Sequence, residues 1–168
     1  TLAPFEQEKA QRAVSDGLQK LADRGLSGSL QSALVMADVG SGEVRAMVGD
    51  RFADRAGFNR AINARRQVGS VIKPLVYLLA LEHEADYNLM SRLQDEPVSL
   101  KQPDGSTWSP ANYDQLSHGE VTLLEALAHS YNQATVRLGL NIGVNHMVNR
   151  LVQLGVTAEV DAVPSAFL

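Results

Sequence analysis

Between Leu30 and Asp38 the chain reads Leu-Gln-Ser-Ala-Leu-Val-Met-Ala-Asp. In an extended chain Ala33, Val35 and Ala37 share one face, and Leu34 and Met36 share the other. A strand that is apolar on both faces is expected to be covered on both. After the turn Val39-Gly40-Ser41-Gly42, Val44-Arg45-Ala46-Met47-Val48 returns as a second strand, so the two predict a β-hairpin. A hairpin alone cannot bury two apolar faces, which demands further elements on either side. One such element precedes it. From Pro4 to Arg24 the apolar residues Phe5, Ala10, Ala13, Val14, Leu18 and Leu21 follow a helical period, ended by Gly25 and Gly28.

Beyond the hairpin the pattern changes. Residues 49–69 hold five arginines (Arg51, Arg55, Arg60, Arg65, Arg66) with little periodicity and read as a polar connection with room for a short helix. Ser70 to Glu84 predicts a helix whose apolar stripe includes Val71, Leu75, Leu78 and Leu79. Pro74 then has to lie in its first turn, where a missing N–H does least harm. Residues 85–117, with Pro97, Pro103-Asp104-Gly105 and Ser109-Pro110, read as a long loop, and Asn112 and Tyr113 within it as solvated. Thr122 and Glu125 form a capping box ahead of a helix over Leu123 to His129. Further helices are expected at Asn132–Leu140 and Val144–Leu154. Strands first and helices later predict an α+β fold. It divides into residues 1–69 (helix, hairpin, connection) and a helical region over residues 70–168.

Length and charge narrow the function. The 168 residues suit one domain with its own core. A net charge of −4 without a basic cluster argues against a nucleic-acid binder. The absence of cysteine excludes thiol chemistry and Cys-based zinc sites. No apolar run is long enough to span a membrane. His83, His118, His129 and His146 lack zinc-ligand spacing and read as ordinary polar residues.

Two short patterns carry chemistry. In Gly69-Ser70-Val71-Ile72-Lys73-Pro74, three residues separate Ser70 from Lys73, nearly one helical turn, so an amine stands on the same face as a hydroxyl. Serine becomes a nucleophile when a neighbouring base takes its proton, and lysine serves when burial lowers its pKa. Taken alone, a helix cap at Ser70 and a solvated Lys73 is the simpler reading. The apolar character of this helix counts against a solvated lysine. The second pattern, Ser130-Tyr131-Asn132, sits at a break between two helices, where Ser and Asn are ordinary caps. It also brings a second hydroxyl and an amide that can pass a proton and orient Lys73.

S-x-x-K followed by S-x-N is the order found in penicillin-binding proteins and serine β-lactamases. The chain resembles the transpeptidase domain of class A penicillin-binding proteins, especially the 1b kind. The likeness is carried by the hairpin Ala33 to Gly49, the approach Phe58-Asn-Arg-Ala-Ile-Asn-Ala-Arg-Arg-Gln-Val-Gly-Ser70, and Thr122 to Leu138. It implies an antiparallel sheet with packed helices plus an all-helical region. It also implies that Ser70 is acylated by the D-Ala-D-Ala end of a peptidoglycan stem peptide, with an amine of a neighbouring stem then taking the acyl group to form a cross-link. By the same likeness Lys73 is the general base, Ser130 the proton shuttle and Asn132 a substrate-orienting residue. β-Lactam antibiotics are implied as covalent inhibitors, and the location as the outer face of the cytoplasmic membrane, anchored by a segment outside this chain; the likeness implies neither a metal nor a cofactor.

One departure stands out: the family's third motif, K-T-G or K-S-G, is absent, and no lysine follows Lys101. The chain is therefore expected to be an incomplete transpeptidase domain, inactive and poorly soluble by itself until the segment carrying K-T-G is supplied. Three alternatives use the same residues differently. A β-lactam sensor and a β-lactamase share the acyl-serine, although the late acids Glu159 and Asp161 are poorly placed to activate water. In a non-catalytic interaction module both serines are only caps.

Overall fold

A computed structural model describes residues 3–52, 57–156 and 162–168. The chain divides into a first unit ending at Arg66 and a second spanning Gln67–Leu168.

In the first unit, helix α1 (Pro4–Asp23) starts with proline in its first turn and buries Ala10, Val14 and Leu18, four residues apart. Strands β1 (Leu34–Ala37) and β2 (Val44–Val48) pair antiparallel, Leu34 opposite Val48, with an irregularity between Met36 and Ala37. The α1 stripe packs on Ala46 and Val48 of β2. Gln7 of α1 occupies the free edge of β2: its amide donates to Met47 O (2.9 Å) and its Oε1 accepts from Met47 N (2.8 Å). A side chain thus satisfies backbone groups that a third strand would otherwise pair. The expectation that β1 is covered on both faces is not met, since Val35 and Met36 are exposed. Within this unit α1 packs against β2, and β1 forms the outer strand of a two-stranded ribbon. A short helix α2 (Arg60–Asn63), capped by the Asn59 side chain, lies in the arginine-rich connection; Arg55 falls outside the described residues.

The second unit is built on helix α3 (Lys73–Leu81), entered through a 3-10 turn (Gly69–Ile72), and on α4 (Leu123–Ala128), α5 (Asn132–Ile142) and α6 (Val144–Gln153). Val76, Tyr77 and Leu79 of α3, Leu123 and Ala126 of α4, Ala134, Val136 and Leu138 of α5, and Met147 of α6 make its core. A final 3-10 turn (Pro164–Phe167) buries Phe167 against Gly139 of α5.

Residues 85–122 are more ordered than a loop. They contain β3 (Arg92–Asp95), β4 (Leu100–Lys101), β5 (Thr107–Trp108) and β6 (Gly119–Thr122), paired β3 with β6 and β4 with β5. Residues 70–168 are thus helical with two small ribbons. Such strands escape detection because they are two to four residues long and mostly polar, while proline and glycine dominate the local pattern. The β3–β6 ribbon matters for the site because it carries Asp95 and leads directly into α4.

Candidate active site

Ser70 sits in the 3-10 turn and is exposed, while Lys73, which opens α3, is only 1% exposed. Gly69 has φ +58°, a backbone conformation that glycine takes without a Cβ clash, and this sets the direction in which the turn presents Ser70. The Lys73 backbone N–H donates to Ser70 O, closing the turn between the two residues of S-x-x-K.

The S-x-N triplet comes to the same lysine from 57 residues away. Lys73 Nζ donates to Ser130 O (2.6 Å), Ser130 Oγ (2.9 Å) and Asn132 Oδ1 (2.5 Å), so its three protons have three acceptors. Among the described residues no hydrogen bond joins Ser70 Oγ to Lys73. The structure therefore brings Lys73, Ser130 and Asn132 together and sets Ser70 one 3-10 turn away, its hydroxyl without a hydrogen bond to any of the described residues.

Burial is the chief influence on Lys73 and lowers its pKa from the ordinary value to about 8, with the charge of Asp95 acting in the opposite sense. A lysine in that range has an appreciable neutral fraction near pH 7. Once neutral, the amine keeps two donors and gains a lone pair, enough to take a proton from a hydroxyl and hand it on.

Ser130 is not an ordinary helix cap. It follows the end of α4 in left-handed backbone conformation, with φ +56°. Its N–H donates to Leu127 O (3.1 Å) and the Tyr131 N–H to Ala126 O (2.9 Å), a Schellman ending whose left-handed position usually holds glycine. Serine there costs about 1 kcal/mol of backbone strain. The same conformation turns both its carbonyl and its hydroxyl towards Lys73.

Asn132 is aimed by its other amide atom, Nδ2 donating to Ala111 O at 2.6 Å, which leaves Oδ1 for Lys73. As the first residue of α5 it has a free backbone N–H, and Asn112 Oδ1 accepts that N–H (2.6 Å) and the Gln133 N–H (3.3 Å). Asp95 Oδ1 accepts the Ala134 N–H (3.0 Å). The start of α5 is thus capped by side chains from the chain segment before it rather than by its own N-cap Tyr131. Asn112, 2% exposed, corrects the solvated-loop expectation, whereas Tyr113 is fully exposed as expected.

Behind this cap lies a group the sequence does not single out. The fully buried Asp95 carboxylate accepts from Asn112 Nδ2 (2.7 Å), His118 N (3.1 Å) and His118 Nδ1 (2.7 Å) on its second oxygen. His118 Nε2 faces Asp114 Oδ2 at 3.1 Å. The hydrogen bond to Asp95 chiefly raises the His118 pKa, and the charge of Asp114 adds to it. The Tyr131 ring stacks on His118 at 4.0 Å between centroids and on His129 at 5.4 Å. On α3, the Tyr77 hydroxyl is pushed up to about 12 by burial. It bonds Thr135 Oγ1 (3.0 Å), which itself donates to Tyr131 O (2.6 Å), tying α3 to α5 one turn beyond Lys73. No group of three or more metal-ligating side chains occurs among the described residues. Glu159 and Asp161 lie outside the described residues.

The chain as a whole is similar to known proteins. Residues 32–162 match the penicillin binding protein transpeptidase domain. Penicillin-binding protein 1B of Vibrio cholerae is 44% identical over the whole chain, which spans 22% of that protein. The crystal structure of penicillin-binding protein 1A from Haemophilus influenzae superposes with a TM-score of 0.73 at 32% identity, over 82% of this chain and 20% of that one. PonA1 from Mycobacterium tuberculosis, solved in complex with penicillin V, superposes at 0.64 and 26% identity, over 90% of this chain and 39% of that one. The chain belongs to the penicillin-binding protein transpeptidase family, and its α+β fold is that of these domains. It spans about a fifth of the length of the 1B relative.

Proposed function

We propose that this chain supplies the acylation half-site of a penicillin-sensitive D,D-transpeptidase that cross-links peptidoglycan. The observation that carries the reading is the buried Lys73 ammonium held by Ser130 and Asn132, one turn from a serine hydroxyl without a hydrogen bond to any of the described residues. Ser70 Oγ attacks the carbonyl of the D-Ala-D-Ala amide while neutral Lys73 takes its proton. Ser130 relays that proton to the departing nitrogen, the amide C–N bond breaks, and terminal D-alanine leaves an ester on Ser70. The amine of a neighbouring stem peptide attacks the ester, its proton returns to Ser70 Oγ, and the new amide is the cross-link. Asn132 holds the substrate amide and orients Lys73.

β-Lactams acylate the same serine on this reading, supported by the penicillin V complex of the PonA1 relative. The K-T-G strand, absent from these 168 residues, joins the site from a further segment of the domain, and residues 1–168 alone turn over no stem peptide. The enzyme works on the outer face of the cytoplasmic membrane. Among the described residues no helix is long and apolar enough to cross a membrane.

The test is a D-alanine release assay on the full-length protein with a stem-peptide substrate and an amine acceptor. Release coupled to amide formation, both lost in Ser70→Ala, supports the transpeptidase. A long-lived penicillin adduct without D-alanine release identifies a sensor, rapid penicillin turnover a β-lactamase, and inertness to both an interaction module.

A further inference from the structure

We propose that His118 is a positioning residue for the Lys73–Ser130–Asn132 cluster, acting through Asp95 and Asn112. The inference rests on the transpeptidase reading and adds to it a residue well removed from Ser70 in sequence.

A continuous set of hydrogen bonds joins the two ends. His118 donates through Nδ1 and its backbone N–H to Asp95 Oδ2, and Asn112 Nδ2 donates to the same oxygen. This leaves Asp95 Oδ1 on Ala134 N and Asn112 Oδ1 on the N–H groups of Asn132 and Gln133. With its N–H held there and its Nδ2 on Ala111 O, Asn132 has one orientation, the one that puts Oδ1 on Lys73. Among the described residues no basic side chain other than His118 lies within ion-pair distance of Asp95, whose charge reaches Lys73 from farther away; its remaining hydrogen-bond partners are an amide and two backbone N–H groups.

Charge acts in the same direction as geometry. The groups facing His118 are Asp95 from β3, Asp114 from the loop before β6, and the Tyr131 ring at the start of α5, on which His129 also stacks. Two carboxylates, one on each ring nitrogen, favour the doubly protonated ring. Its positive charge offsets Asp95, and the Asp95 charge favours the protonated form of Lys73 from the other side. Removing the imidazolium therefore loosens Asn132 and makes Lys73 harder to deprotonate.

The experiment measures the rate constant for acylation by a labelled penicillin across pH, using the full-length protein and its His118→Ala and His118→Gln variants. For His118→Ala the expected result is a loss of about tenfold at neutral pH, with the midpoint of the profile displaced upwards. His118→Gln donates to Asp95 without the charge, so it is expected to recover the high-pH plateau while keeping the raised midpoint. An unmoved midpoint in both variants overturns the proposal. So does a loss in His118→Ala that Gln fails to restore at high pH, since that is the behaviour of a purely structural contact. Should His118→Ala not fold, Asp114→Asn removes only the outer carboxylate and is expected to raise the midpoint through loss of the His118 proton; an unchanged midpoint there overturns the proposal equally. Failure of the wild-type protein to form any adduct at Ser70 would instead contradict the transpeptidase reading.

Discussion

Lys73 carries the strongest residue-level consequence. Its pKa of about 8 makes the neutral base the minor form at pH 7, and that fraction falls tenfold per pH unit further down. Acylation is expected to rise through neutrality and level off above about pH 8, measured as the rate of penicillin adduct formation; a flat profile would count against Lys73 as base. Lys73→Ala should abolish acylation with the circular dichroism spectrum retained. Ser130 gives a test in which stability and activity diverge. Ser130→Gly relieves the left-handed strain and should leave thermal stability unchanged or higher by up to about 1 kcal/mol. Loss of the hydroxyl should nevertheless slow acylation by about a hundredfold. Equal losses in both would assign Ser130 a structural role alone. Ser70 and Lys73 stand out in the sequence by their three-residue spacing, and Ser130 and Asn132 by the order of the two motifs. The contact of Lys73 with Ser130 and Asn132, across 57 and 59 residues, is one that no local spacing records. That Lys73 is buried follows from the apolar helix around it. Asp95, Asn112 and His118 are not legible, because Asp95 and Asn112 serve backbone N–H groups 20 to 39 residues away and no periodic pattern records such partners.

At the scale of elements, the helices are read well and the short strands poorly. The Thr122–Glu125 capping box forms as its motif predicts, with Thr122 Oγ1 accepting the Glu125 N–H at 3.1 Å. Helix α5 begins instead with a tyrosine that caps nothing, and its first N–H groups are met from outside. Asn112→Ala strips the acceptor from Asn132 and Gln133 and should cost about 2 kcal/mol of stability, read by denaturant unfolding of the full-length protein. A loss within error of zero would mean that water replaces the cap. Helix α5 also depends on a close approach: a Cβ at Gly139 would come to 2.5 Å from the Phe167 ring. Gly139→Ala should therefore destabilise by about 1–3 kcal/mol despite alanine's better helix propensity, and Gly139→Ala combined with Phe167→Leu should recover some of it. Strands β3 and β6 leave no strand pattern in the sequence, yet they deliver Asp95 to the start of α5.

For the molecule as a whole, the α+β class and the order of motifs are legible, and they lead to the transpeptidase family that residues 32–162 match. The coverage of β1 departs from expectation for a physical reason: an apolar pattern records what a strand requires, whereas Val35 and Met36 remain exposed here. On the proposed reading Ser70 is the acylated nucleophile, served by the cluster around Lys73. The most direct measurement is to treat the full-length protein with a labelled penicillin, digest it and weigh the peptides. One penicilloyl adduct is expected, on the peptide containing Ser70, absent in Ser70→Ala and in Lys73→Ala. An adduct on any other residue, or one that survives Ser70→Ala, would contradict that reading.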